Sequence, residues 1–248
     1  MAISLRIKKL VKSLQLKKYR KEEQCFVVEG AKNVQELLYS DFEVIQVVAT
    51  GEFERQHRKQ LVARKIETVE STDHELSALG SLQTNNAALA VVRMKPNRRP
   101  ELKPDEFALA LDDIRDPGNV GTIIRTADWY GITSIVASEE TADLYNAKTI
   151  SATMGSFCRV NVFYTSLIEF LPTVSRVYGT FLDGEDVHTV TFPNGGVIVI
   201  GNESNGISLG VGRLVHHRIA IPNYGNAESL NAGVATGVIL DNLHRRRN

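Results

Sequence analysis

Apolar residues near the start of the chain recur with the period of an α-helix. They lie at Ile3, Ile7, Leu10, Val11 and Leu14. This spacing forms one apolar stripe along a helix, and Lys8, Lys9 and Lys12 fall on the opposite side. The pattern predicts an amphipathic helix that packs its apolar side against a core.

Beyond this segment, short apolar runs alternate with helical patterns. Before residue 95 the predicted strands are CFVVEG, VIQVVAT and ALAVVRM. After residue 105 they are FALALDDI, SIVAS, RVNVF, VYGTFLD, GVIVIG and RIAIPN. Several later runs are apolar at nearly every position, as in parallel strands that are covered on both faces. The order of elements predicts an α/β protein whose second part is an open, doubly wound parallel sheet.

A proline-rich stretch separates the two parts. Pro96, Pro100 and Pro104 fall within MKPNRRPELKPDE, and proline at this density disfavours both helix and central strand. We therefore expect a small α/β domain over residues 1–95, a linker over 96–105 and a larger domain over 106–248.

Composition is that of an ordinary folded protein, with 43% hydrophobic and 23% charged residues among 248. The two cysteines, Cys25 and Cys158, are far apart and form no ligand cluster, so we expect them to pack in apolar surroundings and expect no metal site. No apolar run approaches the roughly 20 residues of a membrane span. We therefore expect a cytoplasmic protein without a membrane partner.

The net charge of zero conceals an uneven distribution. Residues 1–99 carry 18 Lys and Arg against 12 Asp and Glu, whereas the remaining 149 carry 11 against 17. Lys17, Lys18, Arg20 and Lys21 form a run without an acidic residue. A solvated helix face and a surface that contacts the phosphates of RNA both account for this run.

The first strand-end loop is DPGNVGTIIRTADWYGI, residues 116–132. Pro117-Gly118 suits the centre of a type II turn, and Asn119 is a good N-cap for a helix from about Val120. Arg125 lies within this helix, among apolar residues. The loop has only two glycines in a GxxG spacing, so it does not match the GxGxxG fingerprint of dinucleotide-binding folds.

Two later loops also follow buried strands. VIVIGNESNGIS contains Gly201, Asn202 and Glu203 after its strand. In RIAIPNYGNAESLNAGVATGVIL, Ser229 is a candidate N-cap for the last helix. That helix has small residues at Gly233, Thr236 and Gly237, which predict close approach to another element. Ligands of open parallel sheets bind at the carboxyl ends of the strands, where these loops lie.

The motifs GNVGTIIRTA, IGNESNGIS and IPNYGNAESLNAGVATGVIL resemble, in order and spacing, those of the SpoU-type (TrmH-like) RNA ribose 2′-O-methyltransferases of the SPOUT superfamily. The segment from KKYRKEEQCFVVEG to ALAVV is similar to that family's small L30e-like substrate-binding domain, although LQTNNAALAVV departs from the family's Thr-Pro-Gln-like stretch. The resemblance implies S-adenosylmethionine (AdoMet) as methyl donor, rRNA or tRNA as substrate, a homodimer and a deep trefoil knot.

The resemblance also implies roles for individual residues. Arg125 would act at the ribose, and the residues expected to orient it and the ribose are Asn119, Glu203, Ser229 and Asn231. The positions that match the cofactor loops are Leu182, Asp183, Gly184, Gly201, Asn202, Ile221 and Leu230. A guanidinium has a pKa above about 12, so we favour electrostatic stabilisation by Arg125 over proton abstraction.

Two other functions remain open from the residues themselves. One is a nicotinamide-dependent α/β oxidoreductase built on the first glycine turn, for which Glu139 and Glu140 are the nearest ribose-binding acids. The other is a non-catalytic RNA-binding module. Asp112 and Asp113 are expected to end a strand, and Arg245, Arg246 and Arg247 form a basic tail that could contact RNA.

Overall fold

The computed structural model describes residues 3–193 and 195–245. These form two compact units. The first unit comprises Met1–Pro96 and Asp143–Cys158, and the second comprises Asn97–Ala142 and Arg159–Asn248. The predicted division placed 143–158 in the second domain and 97–105 in a linker, so it differs from these compact units at both segments.

The first unit is built on a four-stranded sheet with the order β1-β4-β2-β3. Its strands are β1 (Cys25–Glu29), β2 (Val44–Ala49), β3 (Glu67–Glu70) and β4 (Ala88–Arg93). β4 pairs antiparallel with β1 and β2, while β3 pairs parallel with β2. β3 was not predicted, because ETVE is a short, polar edge strand.

Helices cover this sheet and connect its strands. They are α1 (Leu5–Ser13), α2 (Lys17–Glu23), α3 (Ala31–Leu38), α4 (Gly51–Ala63) and α5 (Asp73–Leu79). The apolar stripe predicted for the first helix is confirmed, because Ile3, Ile7, Val11 and Leu14 are buried in one cluster with Cys25. α5 was missed, although Thr72 and Glu75 form a capping box that marks its start.

Residues 143–158 complete the first unit. They include α7 (Ala147–Thr153) and a short 3₁₀ helix (Ser156–Cys158). The ring of Tyr145 lies 4.5 Å from that of Phe26, and the ring of Phe157 lies 5.5 Å from that of Phe42. Burial raises the pKa of Tyr145 to about 12, so its hydroxyl stays neutral. These contacts are long-range in sequence, and a division at prolines could not reveal them.

The second unit contains the predicted parallel sheet, which is confirmed. The strand order is β10-β8-β9-β5-β6-β7, and every neighbouring pair is parallel. The strands are β5 (Phe107–Asp112), β6 (Ser134–Ala137), β7 (Asn161–Tyr164), β8 (Val177–Asp186), β9 (Gly196–Gly201) and β10 (His217–Ala220). The helices are α6 (Pro117–Trp129), α8 (Leu167–Phe170), α9 (Leu209–Gly212) and α10 (Ala232–Arg245).

Residues 97–105 are fastened to the second unit by side-chain hydrogen bonds. The Asn97 amide donates to the carbonyl of Tyr164 and accepts from its N–H, and Arg99 donates to Thr173. The proline-rich stretch therefore runs along the second unit. As its prolines predicted, the stretch contains no helix or strand.

Candidate active site

The first strand-end loop leads into α6 by a different cap from the one predicted. α6 begins at Pro117, which occupies the first turn, and the Asp116 side chain accepts a hydrogen bond of 2.9 Å from the N–H of Asn119. Proline suits the first helical position because its N–H would have no helical partner there. Asn119 is therefore not the N-cap, and its side chain is available for other contacts.

The side chain of Asn119 joins the three strand-end loops. Its Nδ2 donates to the Glu203 carboxylate, and its Oδ1 accepts from Asn231 Nδ2 at 2.8 Å. Glu203 follows β9 and Asn231 precedes α10, while Asn119 lies in the first turn of α6. Because an amide both donates and accepts, Asn119 can bridge the carboxylate and the second amide. Three of the five residues expected to be catalytic thus form one hydrogen-bonded chain.

Asn231 also caps the last helix. Its Oδ1 accepts hydrogen bonds from the N–H groups of Gly233 at 3.0 Å and Val234 at 3.3 Å. The cap predicted at Ser229 is therefore wrong, because α10 begins three residues later, at Ala232. Ser229 is exposed. Both ends of the Asn231 amide are used, one for the helix and one for Asn119.

The small residues of α10 allow the predicted close approach, which is to α6. A Cβ built on Gly233 would lie 2.7 Å from Thr122 Cγ2, so a larger residue there would push the helices apart. Thr236 is fully buried. α6, which carries Asn119, and α10, which follows Asn231, are therefore held at a fixed separation.

Asp112 and Asp113, which the sequence predicted only to end a strand, also anchor the second loop. Asp112 ends β5, as expected, and its carboxylate also accepts a hydrogen bond of 2.7 Å from the N–H of Ser208. Asp113 has a left-handed backbone with φ of 58°, and its carbonyl accepts from Asn202 Nδ2 at 2.7 Å. The signal available in the sequence for this role of Asp112 was an acidic residue at the end of an otherwise apolar strand.

The Asn202 side chain is occupied in shaping its own loop. Its Oδ1 accepts from the N–H groups of Ser204 at 2.9 Å and Asn205 at 3.1 Å. A Cβ on Gly201 would lie 2.4 Å from the carbonyl carbon of Gly206, so glycine is required there by the protein backbone. The side-chain amide of Asn202 is thus committed to its own loop, and its backbone N–H and carbonyl exchange hydrogen bonds with Gly206.

A second group of expected cofactor positions lies where β8 bulges away from β10. Leu182 is 84% exposed at the bulge. A Cβ on Gly184 would lie 2.4 Å from the carbonyl carbon of Ile219. Asp183 is ion-paired with Arg218, whose hydrogen bond lowers the pKa of the Asp183 carboxyl. The bulge is thus packed closely on β10 and exposes an apolar tip.

Arg125 projects from α6 without a partner in the described part of the chain. Its side chain is exposed, and its guanidinium makes no hydrogen bond or ion pair with another described residue. The structure therefore does not show Asn119, Glu203, Ser229 or Asn231 orienting it. What it shows is a guanidinium free to meet an anion outside the chain.

The remaining expected cofactor residues follow β10. Ile221 is half-buried, and Leu230 is 47% exposed. Between them, the Asn223 amide donates to the carbonyl of Ala227 at 2.8 Å and shapes the turn. Because β8 lies between β9 and β10, the three groups of expected cofactor residues lie within or directly after neighbouring strands.

The basic run of the first unit divides into two kinds of residue. Lys17, Lys18 and Lys21 are exposed on α2. Arg20 is only 3% exposed: it donates to the carbonyls of Leu14 and Gln15, each at 2.9 Å, and to Asp143 at 2.7 Å. The prediction that Arg20 contacts RNA is therefore wrong. Of the basic tail, Arg245 ends α10, whereas Arg246 and Arg247 lie outside the described residues.

Neither a metal cluster nor a membrane-spanning helix is found in the described residues. Within 3–193 and 195–245, no group of three or more His, Cys, Asp or Glu side chains is arranged to hold a metal ion. No helix in the same ranges is both long and apolar enough to cross a membrane.

Known proteins resemble both units. The chain is 29% identical over 237 residues to the 23S rRNA (guanosine(2553)-2′-O)-methyltransferase RlmP of Bacillus subtilis, covering 94% of this chain and 93% of that protein. The AdoMet-bound rRNA methyltransferase of Sinorhizobium meliloti superposes with a TM-score of 0.88 at 30% identity, covering 98% of this chain and 97% of that chain. The SpoU methyltransferase AviRb of Streptomyces viridochromogenes, in complex with AdoMet, superposes with a TM-score of 0.88 at 25% identity, covering 99% and 98%.

Family models match each part of the chain. Residues 5–90 match the MRM3-like substrate binding domain. Residues 106–241 match the SpoU rRNA methylase family, which is more than half of the chain and includes every residue of the hydrogen-bonded chain described above. This protein belongs to the SpoU rRNA methylase family.

Proposed function

We propose that this protein transfers a methyl group from AdoMet to a ribose 2′-hydroxyl of RNA. The observation that carries the proposal is the hydrogen-bonded chain Glu203–Asn119–Asn231, which joins three strand-end loops at the start of α6, the helix that also carries the exposed Arg125. Membership of the SpoU family and the names of its rRNA- and tRNA-methylating relatives support the reaction class.

The cofactor positions fit AdoMet in their chemistry. The bulge of β8 exposes Leu182, and the loop before α10 exposes Leu230, so apolar side chains are available to cover an adenine ring. Gly184, in the bulge of β8, and Gly201, at the end of β9, lie on neighbouring strands. AdoMet, when bound, supplies a methyl group on a sulfonium, ready for displacement by an oxygen nucleophile.

The protein's own contribution is to position the ribose and to stabilise charge. In the transfer, the 2′-oxygen bonds to the methyl carbon, the sulfur–carbon bond breaks with its electron pair remaining on sulfur, and the hydroxyl proton passes to solvent water. Arg125 binds the adjacent phosphate and stabilises the negative charge that develops on the 2′-oxygen. Asn119, with both amide atoms occupied, positions the start of α6 relative to Glu203 and Asn231. Ser229 is exposed near this chain in sequence and contacts the ribose.

We further infer that the substrate is rRNA. The relative that covers 94% of this chain is named as a 23S rRNA methyltransferase, and the first unit matches a substrate binding domain. Lys17, Lys18 and Lys21 then contact the RNA backbone from α2. A cytoplasmic location is part of the same proposal.

We also propose that two copies form a homodimer through α6 and α10. Trp129 on α6 is 84% exposed, and Val234 on the packed helix α10 is 54% exposed. Exposed aromatic and aliphatic side chains on two packed helices are typical of an interface. Sedimentation of the wild type as a dimer and of Trp129→Glu as a monomer is the expected result.

The trefoil knot implied by the family belongs to the same proposal. Its support is the close packing of the backbone at Gly184, in β8, on the backbone at Ile219, in β10. Such close passes are expected where one loop threads another.

The deciding experiment combines binding and transfer. Calorimetry of the purified protein is expected to show binding of AdoMet and none of NAD, and labelled AdoMet is expected to methylate rRNA at one ribose. Binding of NAD alone would favour the oxidoreductase alternative. AdoMet binding without methylation of rRNA or tRNA would favour a non-catalytic module.

A further inference from the structure

The pairing between β8 and β10 is interrupted in the middle. Gly179 pairs with Arg218, but the next residue of β10, Ile219, pairs with Glu185. Residues 180–184 of β8 thus stand opposite a single step of β10. This segment, the β8 bulge, includes three of the expected cofactor positions.

One side chain of β10 spans the bulge. The guanidinium of Arg218 lies 3.6 Å from the centre of the Phe181 ring and forms an ion pair with Asp183. Phe181 itself turns back to the base of the bulge, where a Cβ on Gly179 would lie 2.7 Å from its ring. From β10, at the point where the pairing register changes, Arg218 therefore contacts both Phe181 and Asp183 of the bulge.

The residue between those two is the exposed tip. Leu182 is 84% exposed and lies between Phe181 and Asp183 in sequence. Ring stacking fixes the bulge on one side of the tip and the ion pair fixes it on the other. Only a planar, charged group can do both, because a lysine ammonium cannot stack its face on a ring while donating in the same plane.

We propose that Arg218 is a positioning residue that holds the β8 bulge in the conformation that receives AdoMet. This inference rests on the proposed function, since it assigns the bulge to the cofactor. Arg218 lies on β10 and precedes Ile221, which directly follows that strand, by three residues. Arg218 therefore holds the β8 bulge next to the loop that follows β10, so that two of the three cofactor loops are already positioned. This lowers the conformational free energy that AdoMet binding must supply.

The test uses the whole chain and three variants of it. Arg218→Ala removes both the stacking and the ion pair, and Arg218→Lys keeps the charge without the stacking. Arg213→Ala removes an exposed arginine of the same unit that has no part in the bulge. AdoMet affinity is measured by calorimetry, and hydrogen exchange of residues 180–184 is measured in the protein without cofactor.

Arg218→Ala is expected to weaken AdoMet binding roughly tenfold, as expected when preorganisation of a loop is lost. It is also expected to speed exchange in the bulge, with a raised KM for AdoMet and an unchanged kcat. Arg218→Lys should be intermediate, and Arg213→Ala should match the wild type. Unfolding temperature should change little, because the ion pair is exposed.

Wild-type AdoMet affinity in Arg218→Ala overturns the proposal, whether or not the bulge exchanges faster. A loss of affinity that accompanies a large fall in unfolding temperature also overturns it, since the role would then be general stability. If the wild type does not bind AdoMet, the proposed function fails instead. Unchanged exchange in Arg218→Ala would still refute the positioning role in that case.

Discussion

Two arginines from different regions of the molecule show how local sequence can mislead in opposite directions. Arg20 lies in a basic run that looks exposed, yet it is 3% exposed and bound to Asp143. Arg125 lies among apolar residues of a helix, yet its side chain is exposed. Sequence neighbours describe the average character of a segment, whereas helix geometry decides the direction of each side chain.

The first arginine stabilises the protein and the second is available for function. Arg20 donates hydrogen bonds inside the first unit to two carbonyls of the α1–α2 connection and to a carboxylate 123 residues away. Arg125 makes none with a described residue. An unpaired guanidinium at the surface costs little and can bind an anion, whereas a buried one requires every partner it has.

The largest expected effect is on catalysis at Arg125. Replacing it with Ala should lower the single-turnover rate of methyl transfer by about 10²–10³, the usual loss of one electrostatic stabiliser. Arg125→Lys should also lose most activity, because the planar fork is absent. AdoMet affinity and unfolding temperature should stay at wild-type values. Near-full activity of Arg125→Lys would refute a requirement for the guanidinium shape.

The next effect is on stability at Arg20. Arg20→Ala leaves the Asp143 carboxylate without its buried partner and should lower the free energy of unfolding by about 3–5 kcal/mol. Urea denaturation monitored by far-ultraviolet circular dichroism measures this change. Lys17→Ala, on the same helix, should change it by less than about 0.5 kcal/mol. If the two substitutions lowered the free energy of unfolding equally, the distinction between a buried, structural Arg20 and an exposed Lys17 would be refuted.

A third pair of variants separates the two roles of Asn231. Asn231→Asp keeps the oxygen that caps α10 but removes the donor to Asn119, whereas Asn231→Ala removes both groups. Only Asn231→Ala should lose about 1 kcal/mol of stability. Both variants should slow methyl transfer by tenfold to about a hundredfold, because Asn119 is then positioned less well. Full activity of the stable Asp variant would show that the link to Asn119 is unnecessary.

The smallest effects are expected at the exposed lysines of α2. Each of Lys17→Ala, Lys18→Ala and Lys21→Ala should weaken RNA binding a few-fold at low salt. The slope of log affinity against log salt should become shallower by roughly 0.7–0.9 for each phosphate that is no longer neutralised. AdoMet binding should be unaffected. Lys59→Ala, an exposed lysine of α4, is the matched control, and an equal decrease there would indicate diffuse attraction.

Much of the fold followed from apolar patterning. The parallel sheet of the second unit was predicted because its strands are apolar on both faces, and the first helix because its apolar residues repeat every three to four positions. β3 and α5 were not predicted because they are short and polar. The placement of residues 143–158 in the first unit was not predicted, because no local sequence signal marks their contacts with Phe26 and Arg20.

The candidate site was likewise predicted in part from the sequence. Motif order predicted that Asn119, Glu203 and Asn231 belong together, and the structure shows their hydrogen bonds. The caps were assigned to the wrong residues, since Asp116 and Asn231 perform the roles expected of Asn119 and Ser229. Several side chains near a helix start can reach the same N–H groups, and only the backbone path selects among them.

The sequence alone thus determined the sheet, the family and the identity of the candidate catalytic residues, because these depend on residue type and spacing. Tertiary structure decided which groups are occupied and which are free. It committed Asn202 and Arg20 to holding the protein together, and it left Arg125 exposed. The reason is physical: a polar group loses its solvent on burial and must find partners, and those partners come from distant parts of the chain.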